Sequence, residues 1–244
     1  MCSPRLCGES AEKWRELVAM NISVIIPVLN EEQSIEATLQ ALIRLAPFEI
    51  IVVDGGSRDR TVEICKGFAL DVVLAERGRA RQMNVGARHA SGDVLLFLHA
   101  DTRLPASALN DIAAALSDSR YLGGRFDVEL EGTHWMLKII GALINYRSRA
   151  TKIATGDQAL FVRRDIFEHV GGFPEIDLME DIALCRTLKR LGRLACLRSR
   201  VVTSARRWEK DGVWRTILKM WTLKLCYLVG VSPVRLKQYY ADTR

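Results

Sequence analysis

The chain has 244 residues, 49% of them hydrophobic and 26% charged, which suits one sizeable α/β domain and excludes a disordered or low-complexity polypeptide. Six cysteines are scattered without a C-x-x-C pair, so neither a disulfide scaffold nor a zinc ribbon is expected, and the thiols read as reduced and cytoplasmic. The formal net charge is +6, and Arg198 to Arg244 alone holds eleven Lys/Arg against three Asp/Glu.

In chain order, the charged first twenty residues read as an N-terminal extension without a signal peptide. The uncharged run from Leu17 to Asn30, 14 residues, is too short to span a membrane. Four apolar runs follow, each leading through a polar turn into a helical pattern. Ile22 to Ile26 precedes a helix over Glu31 to Leu45, and Glu49 to Val53 precedes one over Asp59 to Phe68. Asp71 to Leu74 precedes Arg79 to Ala90, and Val94 to Leu98 precedes Ala106 to Leu116. Strands joined by helices predict a mostly parallel sheet covered on both faces, with ligands bound at the carboxyl ends of the strands. The loops there, P-V-L-N-E-E, D-G-G-S-R-D, E-R-G-R-A-R and H-A-D-T, are all polar or charged.

The second half differs. Arg125 to Leu130 alternates, with Phe126, Val128 and Leu130 on one face, and reads as a half-buried strand. Helices are expected over Trp135 to Arg147 and Leu178 to Leu191, the latter stopped by Gly192, with a strand over Gln158 to Arg163 between them. A last helix, Val213 to Val229, presents Trp214, Ile217, Leu218, Trp221, Leu225 and Leu228 on one face and Arg215 and Lys219 on the other. Such a helix packs on the sheet or on a second subunit in a homodimer, or lies peripherally on the inner face of a membrane. Residues 21–205 read as one domain, with 206–244 a basic helix and tail packed on it.

The segments S-V-I-I-P-V-L-N-E-E, E-I-I-V-V-D-G-G-S-R-D-R-T and N-V-G-A-R-H-A-S-G-D-V-L-L-F-L-H-A-D-T together resemble family 2 glycosyltransferases. The resemblance continues through G-D-Q-A-L-F-V-R-R-D and M-E-D-I-A-L-C-R, while R-G-R-A-R-Q-M-N and H-A-D-T are similar to the bacterial selenodomain-associated transferases. It implies an α/β fold of the GT-A type with a small acceptor-side extension. The implied activity is inverting transfer of a sugar from a nucleotide-diphosphate donor, UDP- or GDP-type, to an acceptor that the residues leave open.

Each motif then has a chemical reading. The implied donor side is Pro27, Leu29 and Glu31 after the first strand, Asp54 and Gly55 after the second, Arg79, Arg81 and Asn84 after the third, and Ala100 and Asp101 after the fourth. Asp54 can accept from a base or ribose, and Gly55 stands where the family carries a second aspartate. Arg79 or Arg81 can clamp phosphate oxygens. Asp101 is the expected ligand of a divalent cation, Mn²⁺ or Mg²⁺, that neutralises a departing diphosphate. His99 replaces the first aspartate of the family's D-x-D and is either a second, softer ligand or a ribose or phosphate contact. Asp181 is the implied catalytic base and Glu180 the second candidate, although acidic residues also suit any first helical turn. Gly156, Asp157 and Gln158, with Arg207 and Trp208, are expected on the acceptor or sugar side, where Trp208 can stack on a ring and Arg207 can bind diphosphate. Trp208 packing into the core is the alternative.

Rival functions fare less well. A nucleotide-sugar binding protein or a nucleotidyltransferase of the same fold is the alternative, although P-V-L-N-E-E is not a glycine- and lysine-rich phosphate loop. A nucleic-acid binder lacks any recognition-helix or aromatic-strand pattern. No G-x-G-x-x-G follows the first strand, which disfavours a dinucleotide oxidoreductase.

Overall fold

The computed structural model describes residues 20–176 and 178–206, together with Thr216, Thr222, Leu223, Cys226 and Val231. Four strands, β1 (Ile22–Val28), β2 (Glu49–Asp54), β3 (Val72–Leu74) and β4 (Val94–Phe97), pair in parallel. Their apolar runs are buried on both sides because helices cover both faces of the sheet. Along β1, Val24, Ile26 and Val28 join the core formed with α1 (Ile35–Ile43), α2 (Thr61–Gly67), α4 (Ala108–Leu116) and α5 (Trp135–Thr151). Ile25 faces the opposite core, formed with α3 (Arg79–His89), α6 (Arg164–His169) and α7 (Glu180–Leu191). In that second core Phe97 meets Phe173 edge to face, 4.8 Å between ring centroids.

Beyond β4 the pairing changes. β7 (Leu160–Arg163) runs antiparallel to β4, β6 (Tyr121–Glu131) antiparallel to β7, and β8 (Arg193–Ser204) parallel to β6. With the two-residue β5 (Thr102–Arg103) at the far edge, the sheet has eight strands in the order β3-β2-β1-β4-β7-β6-β8-β5. It is mixed, an α/β arrangement with helices on both faces as expected.

Three expectations change. β6 is not half-buried: Arg125 and Asp127, between the apolar positions, are 2% and 8% exposed. They tolerate burial because Asp127 pairs with both Arg125 and Arg149 of α5, so neither sign of charge is left alone. β8 has no counterpart in the predicted elements, since Arg198 and Arg200 interrupt its apolar alternation; its bulged register against β6 accommodates that irregularity. Gln158 belongs to a 3-10 turn, Gly156–Gln158, and the strand begins after it. Arg207, Trp208 and most of the helix expected over 213–229 lie outside the described residues. Of the residues described there, Leu223 is buried against Met179 and Ile182 at the start of α7.

Candidate functional site

The site opens where β1, β2 and β4 end and the amino ends of α3 and α7 converge. Pro27, Arg79, Phe97, His99, Gly156 and Asp181 line its cleft. The loop after β1 and the loop after β2 are laced together before any ligand arrives. The Asn30 N–H donates to Ser57 Oγ at 2.9 Å, the Glu31 N–H to Thr61 Oγ1 at 2.7 Å, and the Arg58 N–H to Asn30 Oδ1 at 2.9 Å. Asp54, 2% exposed, accepts from the Gly56 N–H and from both the N–H and hydroxyl of Ser57. Its carboxylate thus shapes the turn that follows β2.

Gly55 is explained by a residue the motifs did not single out. The amide of Gln82, buried on α3, donates to the Val28 carbonyl at 2.8 Å and the Val53 carbonyl at 2.9 Å, tying β1 to β2. A Cβ on Gly55 would lie 2.9 Å from Gln82 Oε1. The glycine keeps that bridge intact.

The two candidate arginines separate. Arg81 is on the surface, paired with Glu76 at 2.9 Å and Glu175 at 3.5 Å. Arg79 lines the cleft, with its guanidinium 4.0 Å from Glu180. Asn84, read as a donor ligand, has another occupation: its amide donates to the Phe173 carbonyl and accepts from the Phe173 N–H, each at 2.9 Å. It pins the loop after α6 to α3. Ala100 is buried, its carbonyl accepting from Thr38 Oγ1. Leu29 is half-buried at the end of β1.

Asp101 and Glu31 share one counter-charge. Arg206 Nη2 lies 3.1 Å from Glu31 Oε2 and 3.6 Å from Asp101 Oδ2. The Asp101 side chain is 27% exposed, so it is reachable by an ion. Among the described residues no group of three or more His, Cys, Asp or Glu is placed to hold a metal. A cation here would draw the rest of its oxygen shell from a ligand and water. His99 packs directly against Gly156: a Cβ on that glycine would come within 2.5 Å of His99 Nε2.

On the far wall, the Gly156 N–H donates to Asp181 Oδ2 and the Ile182 N–H to Asp181 Oδ1, both at 2.7 Å. Desolvation pushes the Asp181 carboxyl above the usual carboxylate range, against the opposing pull of these N–H groups and of Arg79. Glu180 is only 5% exposed and faces Arg79. Gln158 is fully buried and structural, closing a capping box with Thr155 and reaching towards Phe126 and Asn145. Asp157 differs, because its Oδ1 is buried without a hydrogen-bond partner.

Arg147 escaped the sequence reading. It sits near Asp157, Asp181 and Arg125, its Nε is also buried without a hydrogen-bond partner, and burial pulls its pKa below the ordinary arginine value. A basic residue on a helix is ordinary, so spacing alone carried no signal for it.

The site lies at the carboxyl ends of the parallel strands of an α/β sheet of the GT-A type. The family model for glycosyl transferase family 2 matches residues 23–171, and the chain belongs to that family. It is 29% identical to a probable glycosyltransferase, YdaM, of Bacillus subtilis, over 82% of this chain and 53% of the relative. It is 25% identical to glycosyltransferase AglE of Haloferax volcanii, over 87% of this chain and 81% of the relative. The chain thus spans about half the length of the Bacillus relative. Among solved structures it resembles mannosyltransferase PcManGT of Pyrobaculum calidifontis in complex with GDP-Man and Mn²⁺, with TM-score 0.57, 22% identity, and 81% of this chain and 64% of that one covered. Glucosyl-3-phosphoglycerate synthase of Mycobacterium tuberculosis, in complex with Mn²⁺ and UDP, gives TM-score 0.58 and 19% identity over 78% of this chain and 74% of that one. Among the described residues no helix is long and apolar enough to cross a membrane.

Proposed function

We propose that the protein is an inverting glycosyltransferase that takes a sugar from a UDP- or GDP-type donor and passes it to an acceptor hydroxyl. The observation that carries this reading is the placement of Asp181. Its carboxyl is anchored by two N–H groups on the cleft wall and its pKa is raised by burial. A fixed carboxylate with a raised pKa is suited to take a proton from an attacking hydroxyl. Arg79 supplies positive charge in the cleft beside it, where a diphosphate can be neutralised. Asp157 and Arg147, each with a buried polar atom lacking a hydrogen-bond partner, supply groups for the acceptor or the transferred sugar. Gly156 leaves the space that lets His99 and Asp181 share one cleft.

The donor set fits a hard cation whose remaining ligands come from the substrate. Asp101, with His99 beside the cleft, would hold Mn²⁺ or Mg²⁺, and such an ion supplies charge neutralisation for the leaving diphosphate. Residues 21–205 form the catalytic unit in this reading, and of the segment that follows, Arg206 reaches Asp101 and Leu223 is buried against Met179 and Ile182. The R-G-R-A-R-Q-M-N and H-A-D-T motifs support the selenodomain-associated subgroup.

The test is a screen of UDP- and GDP-sugars, with and without Mn²⁺, for stabilisation of the full chain, followed by turnover. A true donor at a hundred times its dissociation constant adds about 2.7 kcal/mol. Absence of a metal-dependent shift with every donor overturns the reading.

A further inference from the structure

The outward face of α5 has no role in the chemistry above, and its composition is unusual for a helix in water. Trp135, Ile139, Leu143 and Tyr146 are 66%, 47%, 56% and 75% exposed. Their spacing places them on one stripe, with exposed Ala142 and Ala150 filling it in. The other side of the same helix, through Met136, Leu137 and Ile140, is buried in the core. A helix that is apolar towards both the core and the outside needs a partner for its outer face.

Charge identifies the partner. Between His134 and Lys152 there is no Asp or Glu, and of the basic residues there Arg147 is turned to the cleft and Arg149 is paired with Asp127, leaving Lys138 and Lys152 as the exposed charges of the helix. Lys138 borders the exposed stripe and Lys152 stands at its carboxyl end, both exposed. The preceding acids, Glu129 and Glu131 on β6, are already paired with Arg200 and Arg103. A second copy of the chain docked symmetrically through this helix would bring like charges together with no acid on the helix to match them. Trp at one end, Tyr at the other and Lys along the edge are the side chains that suit an anionic lipid–water boundary.

We propose that this face of α5 is a docking surface for an anionic membrane, distinct from the basic segment 206–244. It draws on nothing in the transfer reading, because the binding needs neither donor nor metal.

The experiment uses the full chain in co-sedimentation with vesicles of mixed phosphatidylglycerol and phosphatidylcholine, and with phosphatidylcholine alone. Wild type is expected to sediment with the anionic vesicles. Ile139→Glu with Leu143→Glu should weaken that binding at least about tenfold while the melting temperature stays unchanged, since both positions are exposed. Lys138→Glu should weaken it by about fivefold or more, the scale of one basic residue near an anionic surface. The proposal is overturned if wild type ignores anionic vesicles, or if the folded double variant binds as well as wild type. It is equally overturned if, without vesicles, the chain is a dimer that the double variant dissolves.

Discussion

The half of the sheet built from β1 to β4 and the half built from β6 to β8 differ in how completely their buried polar groups are matched, although the second half also holds the paired Arg125–Asp127–Arg149 cluster. On the first side, Asp54, Gln82 and Asn84 spend their hydrogen bonds inside the protein, so the loops hold their shape before a ligand binds. On the second side, Arg147 and Asp157 keep buried atoms without hydrogen-bond partners, and Asp181 is held at a raised pKa. Buried polar atoms left unmatched cost stability. In the proposed reading, the unmatched atoms of Arg147 and Asp157 are where substrate groups would complete the network, while the loops after β1 and β2 are already held by internal hydrogen bonds.

The sharpest break in that comparison is Asp181→Asn. Loss of a positioned base costs about a hundredfold to ten-thousandfold in turnover, with donor binding retained. Steady-state rates alongside donor titration check both halves of that statement. The raised pKa gives the pH dependence a sign. The base works only when deprotonated, so kcat/KM falls as pH drops through the raised Asp181 value, and the acidic limb lies above the ordinary carboxylate range. For stability the same shift runs the other way. The native carboxyl holds its proton to higher pH than the unfolded one, so stability declines as pH rises between the two values. A limb at or below the ordinary aspartate range would remove Asp181 from the role.

On the scaffold side the expected losses are in stability rather than rate. Asn84→Ala strands the Phe173 N–H and carbonyl and should cost about 1–3 kcal/mol of folding free energy, with donor affinity little changed. Gly55→Asp sharpens the point. The new side chain would push the flexible end of Gln82 off the Val28 and Val53 carbonyls, again about 1–3 kcal/mol by chemical denaturation. Combined with Gln82→Ala, the two penalties should fall short of their sum, because both break the same bridge. Simple additivity would mean that Gly55 is there for another reason.

The sequence made this division only partly legible. The parallel strands were readable because their apolar runs are long and bounded by polar turns, and the acidic pair at 180–181 stood out by motif. β8 was not, since Arg198 and Arg200 break its alternation while pairing with distant strands decides its conformation. The half-buried reading of β6 failed for a related reason, as the partner that neutralises Asp127, Arg149, lies 22 residues away on α5. Arg79 and Arg81 were indistinguishable by spacing. What separates them is that Glu76 and Glu175 converge on Arg81 at the surface, a tertiary fact. Arg147 lacked any local signature, and Gln82 lay within R-G-R-A-R-Q-M-N without a role of its own, because their meaning comes from what surrounds them.

Arg206→Ala is the smallest expected effect and bears on the boundary between the two halves. Arg206 lies just past β8 and reaches across to Glu31 and Asp101, the side proposed to hold the donor, with its side chain 45% exposed. An exposed pair of this kind contributes at most about 1 kcal/mol, so the melting transition should barely move. The electrostatic consequence is more specific. The guanidinium places positive charge beside the carboxylate proposed to hold a divalent cation, and a cation arriving there must compete with it. Removing Arg206 should therefore tighten Mn²⁺ binding by a few-fold, measured by calorimetry on the full chain. High salt should shrink the difference, because screening weakens a partly exposed pair. Weaker Mn²⁺ binding in the variant would instead make Arg206 part of the ligand-holding apparatus, and the donor half would no longer be complete without the segment that follows β8.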